Sequence, residues 1–360
     1  MHPHIVRPAS ETDNAALIEL ERLCPQGTRL RMYSERDDYF FRARLYGDAH
    51  TLVVEDRGEG RIFGVLGASM KDISVRGERR PAAFFYDLRL HPDYRKSVRG
   101  RFMLTAWKAM ERWAGERGAH LIYGLVKKDN APMTALVDSR MGYRFAGGMM
   151  IQSRPVFRRS RLREAAREIA PDDARLVART QAAYGRRDFF PVVFRDRLLT
   201  PAMEASGLFS FLELQRGRSW ASIGMFRASR VMRTRIVTIP GAYKLLQPLF
   251  SSLSPLVPLP RIPREGGSIG YCHVFNHLAD GPEGTRLWRQ LIAHANNAAL
   301  EDGADLLTSA FDPFDAGDGF HAMFRRGAMN TIEYRLGIKA LVPDLPAVDF
   351  SFYPDVRDMN

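Results

Sequence analysis

Cysteine is nearly absent from this 360-residue chain, which has only Cys24 and Cys272. The two lie far apart in sequence and offer neither a disulfide framework nor a ligand pair at zinc spacing, so a reducing cytoplasm is the expected setting. Long apolar runs are missing too. No stretch approaches the ~18 apolar residues of a membrane span, and the opening MHPHIVRPASETD has no basic region followed by an apolar core, so a soluble, unexported protein is expected. Acidic residues are outnumbered, 41 Asp and Glu against 53 Lys and Arg, giving a formal net charge of +12. That balance attracts anions, from a nucleotide cofactor to nucleic acid or an acidic surface, without choosing among them.

What is present supports packed cores. Hydrophobic residues make up 45% and charged residues 26% of the chain, and its length fits two domains of ordinary size. From Ile5 a short strand leads to Ser10, after which Ala15, Leu17, Ile18, Leu20 and Leu23 recur at helical spacing, predicting a helix that ends near Cys24-Pro25. A weaker helix is expected over Asp37 to Leu45. Strands follow at 50–55 and 62–70, joined by the Arg57-Gly58-Glu59-Gly60 turn, and a third at 82–90. Phe102, Leu104, Trp107, Met110 and Trp113 mark a helix over 101–117 that Gly118 closes. A short apolar strand (121–126), a helix (131–140) and a strand (143–152) complete this half.

The second half repeats that order of elements, with no residue-level repeat visible. The expected fold class is α+β: two tandem domains, each a mixed, mostly antiparallel sheet flanked by helices, spanning 1–153 and 171–360 with a basic linker at 154–170. The segment Pro240 to Pro263 is apolar and holds six prolines, so it is not expected to form one regular helix.

The stretch from Tyr86 to Arg101 carries the chemistry. A strand passes through His91-Pro92 into a basic turn that opens a helix, and such a turn presents unpaired N–H groups at the positive end of the helix dipole, suited to a pyrophosphate. Gly100 allows close backbone approach, while Arg95, Lys96, Arg99 and Arg101 add charge. Asp87 is a candidate base on the central strand, although a carboxylate there equally serves to hold a neighbouring loop. Strand alternation points Tyr86 to the opposite face, away from the cleft Asp87 would line.

This arrangement resembles the GNAT superfamily of acyl-CoA N-acyltransferases. Arg95 and Gly100 match the ends of its pyrophosphate-binding motif, with Val98 in place of the middle glycine; Asn130, Leu136 and Gly142-Tyr143 match its second motif, with Val137 where the family commonly has a tyrosine acid. The resemblance covers about the first 150 residues. It implies acyl transfer, acetyl in the simplest case, from acyl-CoA to an amine by direct attack and without a metal. It also implies a cofactor site built from Leu88, Arg89, Leu90, Arg95, Lys96, Val98, Arg99, Gly100, Arg101 and Asn130, with Asp87 and Tyr143 as catalytic candidates and Tyr123 as a further acid.

In the second half, Asp280 and Glu283 stand where the cradle should lie and would repel phosphates, so that half is expected to be a degenerate copy. Cys272, His273 and His277 are read as structural residues, and Asp312, Asp315 and Asp318 as part of a solvated loop. Two rival functions follow: a non-catalytic acyl-CoA-binding regulator, suggested by Val98 and Val137, and an aminoacyl-tRNA-dependent transferase, suggested by the charge and the tandem domains.

Overall fold

The structure is a computed structural model that describes residues 4–27, 29–94, 101–253, 264–313, 319–346 and 351–359. Its first half runs β1 (His4–Pro8), α1 (Asn14–Leu23), β2 (Arg31–Arg36), α2 (Phe41–Tyr46), β3 (Ala49–Asp56), β4 (Arg61–Val75), β5 (Glu78–Leu90), α3 (Arg101–Glu116), β6 (Leu121–Lys127), α4 (Ala131–Arg140) and β7 (Arg144–Pro155). The second half runs β8 (Arg167–Ile169), α5 (Ala174–Tyr184), α6 (Pro201–Ala205), β9 (Phe209–Arg216), β10 (Ser219–Phe226), β11 (Met232–Thr238), α7 (Gly241–Leu253), β12 (Ser268–Asp280), α8 (Gly284–Glu301), β13 (Leu306–Phe311), α9 (Gly319–Arg325) and β14 (Asn330–Ala340). The α+β class expected from the pattern is the one observed. No helix among the described residues is long and apolar enough to cross a membrane.

The main sheet has the order β1-β3-β4-β5-β6-β14-β7-β13-β12-β10-β9-β8. It is antiparallel except where β5 meets β6 and β12 meets β13, each pair joined by a helical crossover through α3 or α8. One exchange joins the halves. β14, from the end of the chain, lies between β6 and β7, with Leu336 opposite Leu125 and Ile332 opposite Ile151. β7 in turn pairs with β13, Gln152 opposite Ser309, so each half completes its sheet with the other's last strand.

A small second sheet pairs β2 with β11, Ser34 opposite Thr234, and ties both to the start of β12. β2 has no apolar alternation to announce it, and its place follows from a partner remote in sequence. The helix expected over 37–45 is correspondingly shorter. Residues 156–166 are pinned along α8: Ser160 N donates to Asn297 Oδ1 at 2.7 Å and Arg163 N to Gln290 Oε1 at 3.0 Å. α7 is helical through Pro248 over the first part of the apolar segment 240–263 and exposes Tyr243, Leu245 and Leu246; residues 254–263 lie outside the described set.

Helical spacing on α3 buries Met103, Ala106, Trp107, Met110 and Ala114 against Phe85, Ile122 and Val126 on one face of the sheet. The opposite face carries Phe84, Tyr86, Tyr123 and Leu336, packed with α5, α6 and the buried segment 351–359. Asp312, expected in a solvated loop, is buried and accepts a hydrogen bond from Phe352 N at 2.6 Å, anchoring that segment; residues 314–318 lie outside the described set.

Candidate functional site

The parallel ladder between β5 and β6 stops at Phe85 opposite Gly124. Beyond it the strands part, leaving 86–90 and 125–127 without each other as strand partners. A cavity of about 330 Å³ opens at this parting and reaches both faces of the sheet. On the α3 side it is lined by Trp107, Asn130, Met133, Val137 and Tyr143; on the other by Arg36, Arg42, Tyr86, Asp87, Arg89 and Lys127. The second half completes the wall with Thr234, Tyr271, His273, Thr308, Tyr334 and Asp358.

Asp87 marks a β-bulge. The β4–β5 register slips between Val65 and Gly67, and Asp87 takes φ +53°, a left-handed conformation that an L residue adopts at a cost and that aspartate tolerates better than most. The bulge resets the alternation of side chains, so Tyr86 and Asp87 both line the cavity, against the expectation that they would face apart. Three guanidinium groups surround the Asp87 carboxylate: Arg36 at 3.2 Å, Arg42 at 3.4 Å and Arg89 at 3.8 Å. Burial alone would raise its pKa, but these cations outweigh burial and bring it to about 2. So acidic a carboxyl accepts a proton from an ammonium poorly.

The other predicted residues are placed as follows. Tyr143 is buried beside the cavity; its hydroxyl donates to Glu111 Oε1 at 3.1 Å and accepts from Trp107 Nε1 at 3.1 Å, while Lys339 of β14 grips the same carboxylate at 2.9 Å. Burial and the Glu111 charge push that phenol's pKa far up. Tyr123 donates to Asp358 at 3.0 Å, so its hydroxyl is also engaged. Asn130 caps α4, its Oδ1 accepting from Met133 N at 3.2 Å, and lines the cavity. Leu88 and Arg89 line it; Leu90 packs toward α3, its carbonyl accepting from the Cys24 thiol at 3.3 Å. Arg101 opens α3, as expected of the helix after the cradle. Arg95, Lys96, Val98, Arg99 and Gly100 lie outside the described residues.

Sequence reading missed Arg36, Arg42, Lys127, Tyr334 and the segment 351–359. No local pattern signals them, because the pairing of β2 with β11 and the strand exchange bring them in. Asp358 accepts from Lys71 Nζ at 2.9 Å and from Tyr46 at 2.8 Å, and Lys71 also pairs with Asp355 at 2.8 Å. Arg357 and Lys71 hold the Asp355 carboxyl well below the usual range despite its burial.

The second half repeats the device residue for residue. β12 parts from β13 after Val274 opposite Ser309, its register with β10 slips between Ser222 and Gly224, and Asn276 sits at the bulge with φ +46°. Gly67 faces the ring of Tyr86 as Gly224 faces that of Phe275; a Cβ on either glycine would come within 2.6 Å of the ring. This second opening is nearly filled. About 20 Å³ remains between Tyr184, Arg187, Asn276 and Tyr353, and Phe320 stacks on His277 at 4.1 Å. Cys272 is buried, and His273 hydrogen-bonds to Thr308.

The sequence of residues 14–143 matches the model of the acetyltransferase (GNAT) family. These residues form a GNAT acetyltransferase domain. Its parted strands are the place where the resemblance puts acyl-CoA. Over 283 residues the chain is 26% identical to an acetyl transferase, GW6a, of Oryza sativa subsp. japonica, covering 72% of this chain and 64% of that protein. Over 255 residues it is 25% identical to a probable N-acetyltransferase, HLS1-like, of Arabidopsis thaliana, covering 63% and 59%. The chain thus spans less than two thirds of the length of these relatives. Beyond the GNAT domain, nearly the whole fold matches N-myristoyltransferase of Saccharomyces cerevisiae solved with bound myristoyl-CoA: TM-score 0.60 at 11% identity, over 98% of this chain and 88% of that one. A second structure of that enzyme gives 0.61 at 10% identity. At such identity the shared property is the fold.

Proposed function

We propose that the chain transfers an acyl group from acyl-CoA to an amine by direct attack on the thioester, within the cavity where β5 and β6 part. The observation that carries this reading is the opening itself, a passage of about 330 Å³ through the sheet, where the matching parting of β12 and β13 is nearly filled. In the GNAT domain the acyl-CoA would enter on the α3 side, its phosphates toward the start of α3 and its acyl end toward the bulge. Backbone groups of 86–90 freed by the parting can donate to the thioester oxygen as it gains charge. The amine reaches the carbonyl from the opposite face, where the second half supplies much of the wall.

Asp87 acts here as a positioning residue. It holds Arg36, Arg42 and Arg89 in place, and we assign the proton lost by the ammonium to water in the cavity. Tyr143, engaged by Glu111, shapes the α3 side, while Tyr123 holds Asp358, which lines the cavity. The filled second opening supports reading the second half as a wall of this site, with no transfer centre of its own. The acyl group, acetyl or longer, is open to test.

A thiol-release assay with acyl-CoAs of several lengths and a broad amine panel tests the reading. Amine-dependent release is expected, and Leu125→Trp, which fills the opening, is expected to lower acyl-CoA affinity roughly tenfold or more. Calorimetric binding of CoA without release under any condition would replace transfer with a regulatory role.

A further inference from the structure

On the face of the sheet away from α3, the cavity holds an imbalance of charge. Four cationic side chains line it, Arg36, Arg42, Arg89 and Lys127, against two carboxylates, Asp87 and Asp358. The three arginines are accounted for. Arg36 pairs with Glu21 and Asp87, Arg42 with Asp87 and the Asp358 carbonyl, and Arg89 with Glu21 at 3.1 Å. The Lys127 ammonium has no hydrogen bond or ion pair among the described residues, and the exposed Asp129 attracts it only from beyond ion-pair distance.

Geometry places Lys127 on the acceptor's side. Along β6, Val126 packs toward α3 while Leu125 packs with Phe84 and Tyr123 on the other face, so alternation sends Lys127 with Leu125. Tyr334 of β14 stands directly opposite Lys127 in the antiparallel register, and cross-strand partners share a face. Tyr334 packs with that same cluster, lines the cavity, and its hydroxyl has no hydrogen-bond partner among the described residues. Burial raises its pKa to about 12, so it stays a donor at neutral pH. Burial also works against the Lys127 charge, and the nearby Arg89 adds to that pressure. A half-buried ammonium across the strand pair from an unpartnered phenol, both lining the cavity, is suited to receive an anion. Phosphates of the cofactor do not fit this place, since the start of α3 lies on the other side of the sheet.

We propose that the acceptor amine carries an anionic group, a carboxylate in the simplest case, received by Lys127 and Tyr334. This rests on the acyl-transfer reading and narrows its substrate class to amines of the amino-acid kind. With the carboxylate held at the end of β6, opposite Tyr334 of β14, the amine of a short molecule lies back toward the bulge and the thioester.

The experiment compares amino acids with their carboxamides as acceptors, and N-acetyl amino acids with their amides as calorimetric ligands. In wild type the carboxylate form is expected to be favoured in kcat/KM roughly tenfold or more, because a site built for a polar group rejects the analogue lacking it. Lys127→Met is expected to collapse that ratio toward one, mainly through KM, with unchanged acyl-CoA affinity. Tyr334→Phe should reduce the ratio by a smaller factor. Equal use of both forms by wild type, equal losses for both in Lys127→Met, or weakened acyl-CoA binding in that variant would each overturn the proposal. Carboxylate-selective binding in calorimetry without thiol release from any amine would instead retain the anion site and sink the transfer reading.

Discussion

Asp87 shows what one residue can be made to do by its surroundings. Its left-handed backbone, the slipped register and three guanidinium groups fix a carboxylate that stays ionised in a buried place. Because its pKa is depressed to about 2 in the folded chain and lies near 4 when unfolded, the unfolded state binds the proton first as pH falls. Its stabilising contribution, roughly 2 kcal/mol, is therefore complete above about pH 4 and is lost as pH drops toward 2. Asp87→Asn should keep the bulge, since Asn276 occupies the matching position, yet leave Arg36 and Arg42 short of a counter-charge. We expect a loss of ~3–5 kcal/mol at neutral pH. Urea titrations at pH 7 and pH 3 should show the variant's deficit shrinking at the lower pH; an equal deficit at both would remove the electrostatic account.

At the scale of elements, the two bulged strands invite a paired substitution. Gly224→Ala drives the Phe275 ring into an opening already filled by Tyr184, Tyr353 and Phe320, and overpacking of that kind costs ~1–3 kcal/mol. Gly67→Ala drives Tyr86 toward the larger cavity, which has room for it. The first variant should lose more thermal stability and the second more turnover, measured by calorimetry and thiol release; the reverse order would show that the openings differ less than their volumes imply. Much of this architecture was legible in advance. Period-two and helical patterns located β3 to β6 and α3 within a few residues, because each carries its own buried stripe. The bulge was not legible, since nothing in Tyr86-Asp87-Leu88 announces a positive φ, and without it alternation sent Asp87 to the face away from Tyr86. Lys127 and Tyr334 were invisible as a pair because their meeting depends on a strand exchange, and the polar β2 gave no strand signal without β11 as its partner.

Taken whole, the molecule is one cooperative body by its connectivity. β14 is paired on both sides with strands of the first half, β7 joins β13, and the segment 351–359 is buried against Tyr46, Lys71 and Tyr123. Calorimetry is therefore expected to show a single transition whose van't Hoff and calorimetric enthalpies agree; two resolved transitions would mean that the halves melt independently. The exchange also bears on how the chain is made. A ribosome releases β6 long before β14, so the nascent first half must wait with an open sheet edge, an invitation to mispairing, until β14 emerges. Synthesis and folding are thereby uncoupled: a message truncated before β14 would yield an unfinished sheet.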